Sequence, residues 1–226
     1  MAELIRPSTI LPAERSPITI LTRDGLKLIG EVATPLSGDR SNAILCFHPR
    51  PTHGGMMDSH IFKKAANRLP AMAEITVIRF NTRGTPSDQG RSEGEFGNGV
   101  TEQADVVAAI DYAFDVLKVK NLWIVGWSFG TDLALQYATD RRIKGLILLS
   151  PPLLTTKDSH LEFWAKDGRP VMALIPEFDE FLNPADAEIR FQSLTTVDLI
   201  AVAGAKHLWV GEPFVHRVLS EIVKYV

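Results

Sequence analysis

The chain is predicted to fold as an α/β domain built on a mostly parallel sheet. Short apolar runs at Ala43 to Phe47, Ile75 to Phe80, Leu122 to Val125, Ile143 to Leu149, Val171 to Ile175 and Val197 to Val202 have the length of strands buried on both faces. Between them lie segments whose apolar residues recur every three or four positions, the stripe of a helix packed on a sheet. Right-handed crossovers between parallel strands then put helices on both faces.

The elements follow in order. Ile18 to Leu21 and Leu26 to Val32 flank Arg23-Asp24-Gly25, and an Asp-Gly pair between two such runs signals a hairpin of antiparallel strands. Val106, Val107, Ile110, Phe114 and Leu117 stripe one helix face, and Val215, Val218, Leu219, Ile222, Val223 and Val226 stripe another. Asn183-Pro184 reads as a helix N-cap followed by proline at the first helical position. No repeat or long linker divides the sequence, and 226 residues suit a single domain over 1–226.

Composition narrows the function classes. Lys plus Arg is 24 against 27 Asp plus Glu, a net charge of −3, which argues against a general nucleic-acid binder. Hydrophobic residues at 45% exclude an intrinsically disordered chain. One cysteine, Cys46, excludes an internal disulfide and a cysteine zinc cluster. No apolar run approaches the roughly 18 residues of a membrane span. Met1 to Pro7 carries an early acid and no apolar core of signal-peptide length follows, so a cytoplasmic location without membrane attachment is expected.

The chemistry centres on Gly126-Trp127-Ser128-Phe129-Gly130, which follows the run Leu122 to Val125 and precedes a helical pattern over Thr131 to Thr139. Strand, sharp turn and helix is the setting that exposes a nucleophilic serine, and the glycines leave room for the crossing backbone. A serine hydroxyl needs a base, itself oriented by an acid. His207 lies just past the run ending near Val202, where such sheets place working groups, whereas His216 falls inside the terminal helix. Acid candidates follow Val171 to Ile175 in Pro176-Glu177-Phe178-Asp179-Glu180-Phe181. Periodicity cannot choose between Glu177 and Asp179. With the strand ending at Pro176, Asp179 sits on the loop, where reach towards His207 is easier.

Three further segments carry a resemblance. His48-Pro49-Arg50-Pro51-Thr52-His53-Gly54-Gly55 resembles a His-Pro-x-Pro-x-x-Gly-Gly loop. Phe80-Asn81-Thr82-Arg83-Gly84 through Gly94 resembles Asn-x-Arg-Gly-x-Gly-x-Ser, with Pro86 in place of a glycine. Phe178-Asp179 and Lys206-His207 fit the acid and histidine positions. From about Ile18 onward the chain is similar to small serine hydrolases of the α/β-hydrolase superfamily, lidless bacterial members akin to dienelactone hydrolase.

That resemblance implies an α/β-hydrolase fold and a Ser128, Asp179, His207 triad acting on a small-molecule ester or related acyl bond, with no cofactor. It also implies an oxyanion hole of two backbone N–H groups, from Phe129 after the serine and from the loop after Ala43 to Phe47. Pro49 and Pro51 have no N–H, so Arg50 is the expected second donor. Thioester hydrolysis or acyl transfer on the same triad, and a non-catalytic binding protein on the same scaffold, are the competing readings.

Weaker signals have plainer explanations. His48, His53, Asp58 and His60 match no zinc spacing and fit a loop beside the site; no metal is expected. The glycines from Gly84 to Gly99 lack the spacing of a phosphate cradle and fit a loop near the site. Cys46 fits a small buried hydrophobe. Trp127 and Phe129 fit core packing, with Phe129 also at a pocket. About twenty residues separate Ser150 from Val171, room for one short amphipathic helix with Leu161, Phe163 and Trp164 as a minimal lid.

Overall fold

The computed structural model describes residues 5–226, so the expectation on the first residues of the chain lies in part outside the described residues. Strands β1 (Glu14–Leu21) and β2 (Lys27–Thr34) form the antiparallel hairpin, closed by a turn in which Gly25 takes φ 87°. Then come β3 (Asn42–Phe47), α1 (His60–Ala73), β4 (Thr76–Phe80) and a two-residue ribbon of β5 (Pro86–Ser87) and β6 (Gly90–Arg91). Helix α2 (Glu102–Asp111) runs into a π-helical turn over Tyr112–Val116 and leads to β7 (Asn121–Trp127) and α3 (Phe129–Tyr137). The rest alternates: β8 (Ile143–Leu149), α4 (Asp158–Asp167), β9 (Val171–Phe178), α5 (Pro184–Arg190), β10 (Val197–Lys206) and α6 (Glu212–Tyr225).

The main sheet has eight strands in the order β1-β2-β4-β3-β7-β8-β9-β10. β2 is antiparallel to β4, and every pairing from β4 through β10 is parallel. Side-chain alternation divides the core in two. Ala43, Leu45 and Phe47 of β3 and Ile124 of β7 face α2, α3, α4 and α5. Ile44, Cys46, Trp123, Val125 and Trp127 face α1 and α6. Both faces are buried, which is why the sequence shows unbroken apolar runs rather than alternation.

Helix α1 has no counterpart in the sequence expectations. Its apolar stripe of Ile61, Phe62, Ala65, Ala66 and Leu69 is regular, but Arg68 is buried among these residues and Pro70 lies inside the helix, where a proline normally breaks it. Pro70 sits in the last turn. The Ala66 carbonyl that it leaves without an intrahelical donor accepts from Arg15 Nη2 at 3.3 Å.

Two strand ends also differ from expectation. β9 continues through Pro176 to Phe178 because its ladder to β8 stops at Leu174, so the missing proline N–H interrupts nothing on that side. β10 runs past Val202 to Lys206 with an irregularity in register. The segment expected as a minimal lid is a helix, α4, but its Leu161 and Trp164 belong to the core, and Trp164 Nε1–H donates to the Leu135 carbonyl of α3 at 3.0 Å. Burying a large indole against the sheet layer holds α4 away from the serine, and no residue of α4 lines the cavity there.

A buried ion pair holds the loop after β4. Arg83 donates from its backbone N and Nη2 to Asp105 at 2.8 Å each, and from Nη1 to Asp24 at 3.0 Å. Burial, opposed by Arg83, raises the Asp105 pKa above its ordinary range, so the pair is costly to leave half-made. Asp105→Ala should therefore lower the urea-unfolding free energy by about 3 kcal/mol, since it leaves the buried Arg83 backbone N–H and Nε without an acceptor and Asp24 as the sole remaining carboxylate partner. Asp24→Ala, at a half-exposed carboxylate, should cost about 1 kcal/mol or less.

Candidate active site

The site lies where β7 ends. Its strand turns into α3 at Ser128, whose backbone takes φ 51° and ψ −122°, a region that L side chains rarely adopt. The local geometry demands the two flanking glycines. A Cβ on Gly126 would come within 2.6 Å of the Gly130 carbonyl oxygen, and one on Gly130 within 1.9 Å of the Phe47 carbonyl oxygen. The turn is tied down on both sides: Ser128 N–H donates to Leu149 O at 2.9 Å, and Ser128 O accepts from both N and Oγ1 of Thr131 at 2.7 Å.

The structure brings Ser128, His207 and Asp179 together. Ser128 Oγ–H donates to His207 Nε2 at 2.9 Å. His207 Nδ1–H donates to Asp179 Oδ2 at 2.9 Å and lies 3.0 Å from Oδ1. His207 and Asp179 are buried, whereas Ser128 is partly open. The Asp179 carboxylate also accepts from Phe181 N at 2.9 Å, which orients it. Of the alternatives, Glu177 is exposed and accepts from Gly204 N–H at 2.7 Å, an interaction along the sheet rather than with histidine. His216 is exposed on α6 beside Met72, away from the serine.

Sequence reasoning missed two residues that hold His207 from behind. The His207 carbonyl accepts from Trp127 Nε1–H at 3.2 Å and from Ser150 Oγ–H at 3.0 Å. A buried indole N–H requires an acceptor, so Trp127 carried a signal; Ser150 carried none.

Arg50 and Phe129 line the same cavity as Ser128. Neither of their backbone N–H groups donates to a turn or loop carbonyl among the described residues. The cavity measures about 440 Å³ and combines the apolar Leu154, Phe181 and Leu208 with the polar Arg50, His53 and Asp132. Phe181 lies against the His207 ring, centroids 4.7 Å apart.

The four residues of the histidine-rich stretch go separate ways. His53 lines the cavity, Asp58 pairs with Arg79, and the His60 ring stands edge-on to Trp127. His48 is buried: its Nδ1–H donates to Pro49 O at 2.7 Å, and its Nε2 accepts from Thr82 N–H at 3.0 Å. Among the described residues no group of three His, Cys, Asp or Glu side chains is placed to hold a metal ion. Cys46 is buried, which pushes its thiol pKa up to about 12.

The fold and the serine–histidine–aspartate arrangement at the carboxyl edge of the sheet are those of a hydrolase. A family model described as alpha/beta hydrolase fold matches residues 42–185, and the chain belongs to that family. An uncharacterised protein of Rickettsia prowazekii (strain Madrid E) is 30% identical over 173 residues, 73% of this chain and 71% of that protein. A lidless α/β serine hydrolase of Xanthomonas campestris is 25% identical, with a TM-score of 0.72 over 95% of this chain and 93% of its own. An esterase of Pyrococcus furiosus shares the fold at 16% identity, with a TM-score of 0.77 over 94% of this chain and 91% of its own. Among the described residues no helix is long and apolar enough to cross a membrane.

His48 supplies a test of the site's rigidity. Burial lowers its pKa from 6.5 to about 4, so the folded protein holds it neutral while the unfolded chain protonates it. Stability contributed by neutral His48 is present above pH 6.5 and is lost as pH falls towards 4, by roughly 3 kcal/mol. The unfolding free energy of wild type should fall with a steeper slope across that interval than that of a folded His48→Gln variant, measured by urea titration at each pH. Parallel slopes would show that His48 is not held neutral.

Proposed function

We propose that the protein is a serine esterase that hydrolyses small-molecule esters through an acyl-enzyme. The observation that carries this reading is the continuous hydrogen-bonded line from Ser128 Oγ through His207 to Asp179. Ser128 Oγ attacks the substrate carbonyl as its proton passes to His207 Nε2. Asp179 keeps the proton on Nδ1 and stabilises the imidazolium that forms. The new oxyanion accepts hydrogen bonds from the N–H groups of Arg50 and Phe129. When the C–O bond to the leaving group breaks, His207 Nε2 returns the proton to the departing oxygen. Water then repeats the sequence on the acyl-serine and frees the acid. The likeness to a lidless serine hydrolase and to an esterase supports the reaction class.

The cavity supports a substrate with a short acyl part. It is about 440 Å³, and although Leu154, Phe181 and Leu208 give it apolar walls, no residue of α4 lines it to cover a long chain. Butyryl 4-nitrophenyl ester should turn over faster than the palmitoyl ester, without activation at a lipid interface. A preference for palmitoyl would reverse the size assignment.

The residue roles are tested together. A fluorophosphonate should label Ser128 once per chain, and Ser128→Ala should abolish labelling and turnover. Asp179→Asn leaves His207 in the wrong tautomer and should cut kcat by about 10⁴-fold, as in serine proteases. Glu177→Gln should cost far less. A reversed order in two folded variants would assign the acid to Glu177, and labelling at another serine would displace the whole site.

A further inference from the structure

We propose that residues 95–100 form a positioning clamp on both oxyanion donors, with Phe96 and Asn98 as its contacts and Glu102 as its anchor. The proposal rests on the oxyanion roles of Arg50 and Phe129 given above.

The two donor residues come from different elements, the loop after β3 and the first position of α3. In the structure they share a neighbour. The Phe96 ring meets the Phe129 ring edge-on, centroids 5.4 Å apart, and the Arg50 guanidinium carbon lies 5.1 Å from the Phe96 centroid. Asn98, at φ 55°, completes the hold: its Oδ1 accepts from Arg50 Nη2 at 2.7 Å. Arg50 Nε donates to Thr52 Oγ1 at 3.2 Å, and among the described residues no carboxylate pairs with this guanidinium. The side chain of Arg50 is thus used as a handle, gripped by a ring and an amide.

The clamp is itself fixed from below. Glu102 is fully buried at the start of α2, and its carboxylate accepts from Gly97 N–H at 2.7 Å and Gly99 N–H at 2.9 Å. A buried carboxylate persists only where donors replace water, so the two amides and the acid hold each other in place. Tyr137 Oη–H donates to the Gly99 carbonyl at 2.8 Å, tying the loop to α3 as well. Gly99 leaves its face to Phe129: a Cβ there would lie 3.3 Å from the ring. These contacts set the spacing of the two N–H groups. Catalytic groups lose effect when displaced by as little as about half an ångström, so a loosened clamp weakens the bond to the developing oxyanion more than the bond to the ground-state ester.

The test uses Phe96→Ala, Phe96→Tyr and Asn98→Gly in the full chain. Asn98 is exposed and its positive φ suits glycine, so that variant leaves the fold alone. Steady-state kinetics with butyryl 4-nitrophenyl ester are compared with inhibition by an aryl trifluoromethyl ketone, whose hemiketal with Ser128 carries the same oxyanion. Expected are a fall in kcat of about tenfold or more for Phe96→Ala, a smaller fall for Asn98→Gly, and KM within about twofold; a removed donor costs about 10²–10³-fold. The ketone's inhibition constant should rise by the factor that kcat/KM falls, and Phe96→Tyr should restore both. Wild-type kcat and inhibition in folded Phe96→Ala and Asn98→Gly overturn the clamp, as does a loss confined to KM. If Phe96→Ala does not fold, Asn98→Gly decides. Such results in an enzyme whose wild type labels at Ser128 and turns over ester overturn the clamp alone. A wild type that does neither overturns the esterase reading with it.

Discussion

One backbone turn governs this molecule. A side-chain-bearing residue at φ 51° costs on the order of 1–3 kcal/mol, and Ser128 stays there only because its surroundings leave no alternative. Leu149 takes its N–H, Thr131 takes its carbonyl twice, and the end of β3 passes so near Gly130 that α3 must start where it does. The strain lifts the serine oxygen out of the sheet edge towards His207. The same turn aims Trp127 backwards, where its indole N–H holds the His207 carbonyl. Ser128 and His207 are therefore registered to each other through one stretch of β7 as well as through their own hydrogen bond.

Beyond the strand ends there is no ladder to position the loops, and buried polar contacts take over. Arg83, Asp105 and His48 are all shielded from water, and each has a partner on another segment. His48 connects the Pro49 carbonyl to Thr82, so the loop carrying Arg50 is pinned to the loop after β4. Removing such groups from water is favourable only when all their hydrogen bonds are made, which gives these loops well-defined positions rather than merely allowed ones. A hydrolase that stabilises transient charge needs that definition more than it needs extra stability.

Periodicity and motif made much of the architecture legible. The apolar runs of β3, β4, β7, β8, β9 and β10 stand out because burial on both faces removes polar residues from them. Gly126, Ser128 and Gly130 stand out because their contacts are local, within a few residues and one neighbouring strand. Helix α1 carries a legible stripe of Ile61, Phe62, Ala65, Ala66 and Leu69, but what lets it hold Arg68 and Pro70 was not legible: Arg68 pairs with Glu212 of α6, and Arg15 meets the carbonyl that Pro70 leaves free, both far away in sequence. The α4 segment was legible as a helix but not in its place, because only the packing of Trp164 on α3 decides whether such a helix covers the serine or joins the core.

The sequence by itself determined the fold class, the strand–turn–helix at Ser128 and a short set of acids and histidines. Those follow from local sterics and from which side chains water rejects. The tertiary structure decided which acid faces His207. Glu177 lies at the end of β9 and Asp179 just beyond the strand, and the neighbouring β10 with the residue after it distinguishes them, by giving Gly204 N–H to one and His207 to the other. It also decided that Phe96 and Asn98 meet Arg50 and Phe129, since contacts between loops of distant strands depend on the order in which the sheet assembles them, and that order is written in no single segment.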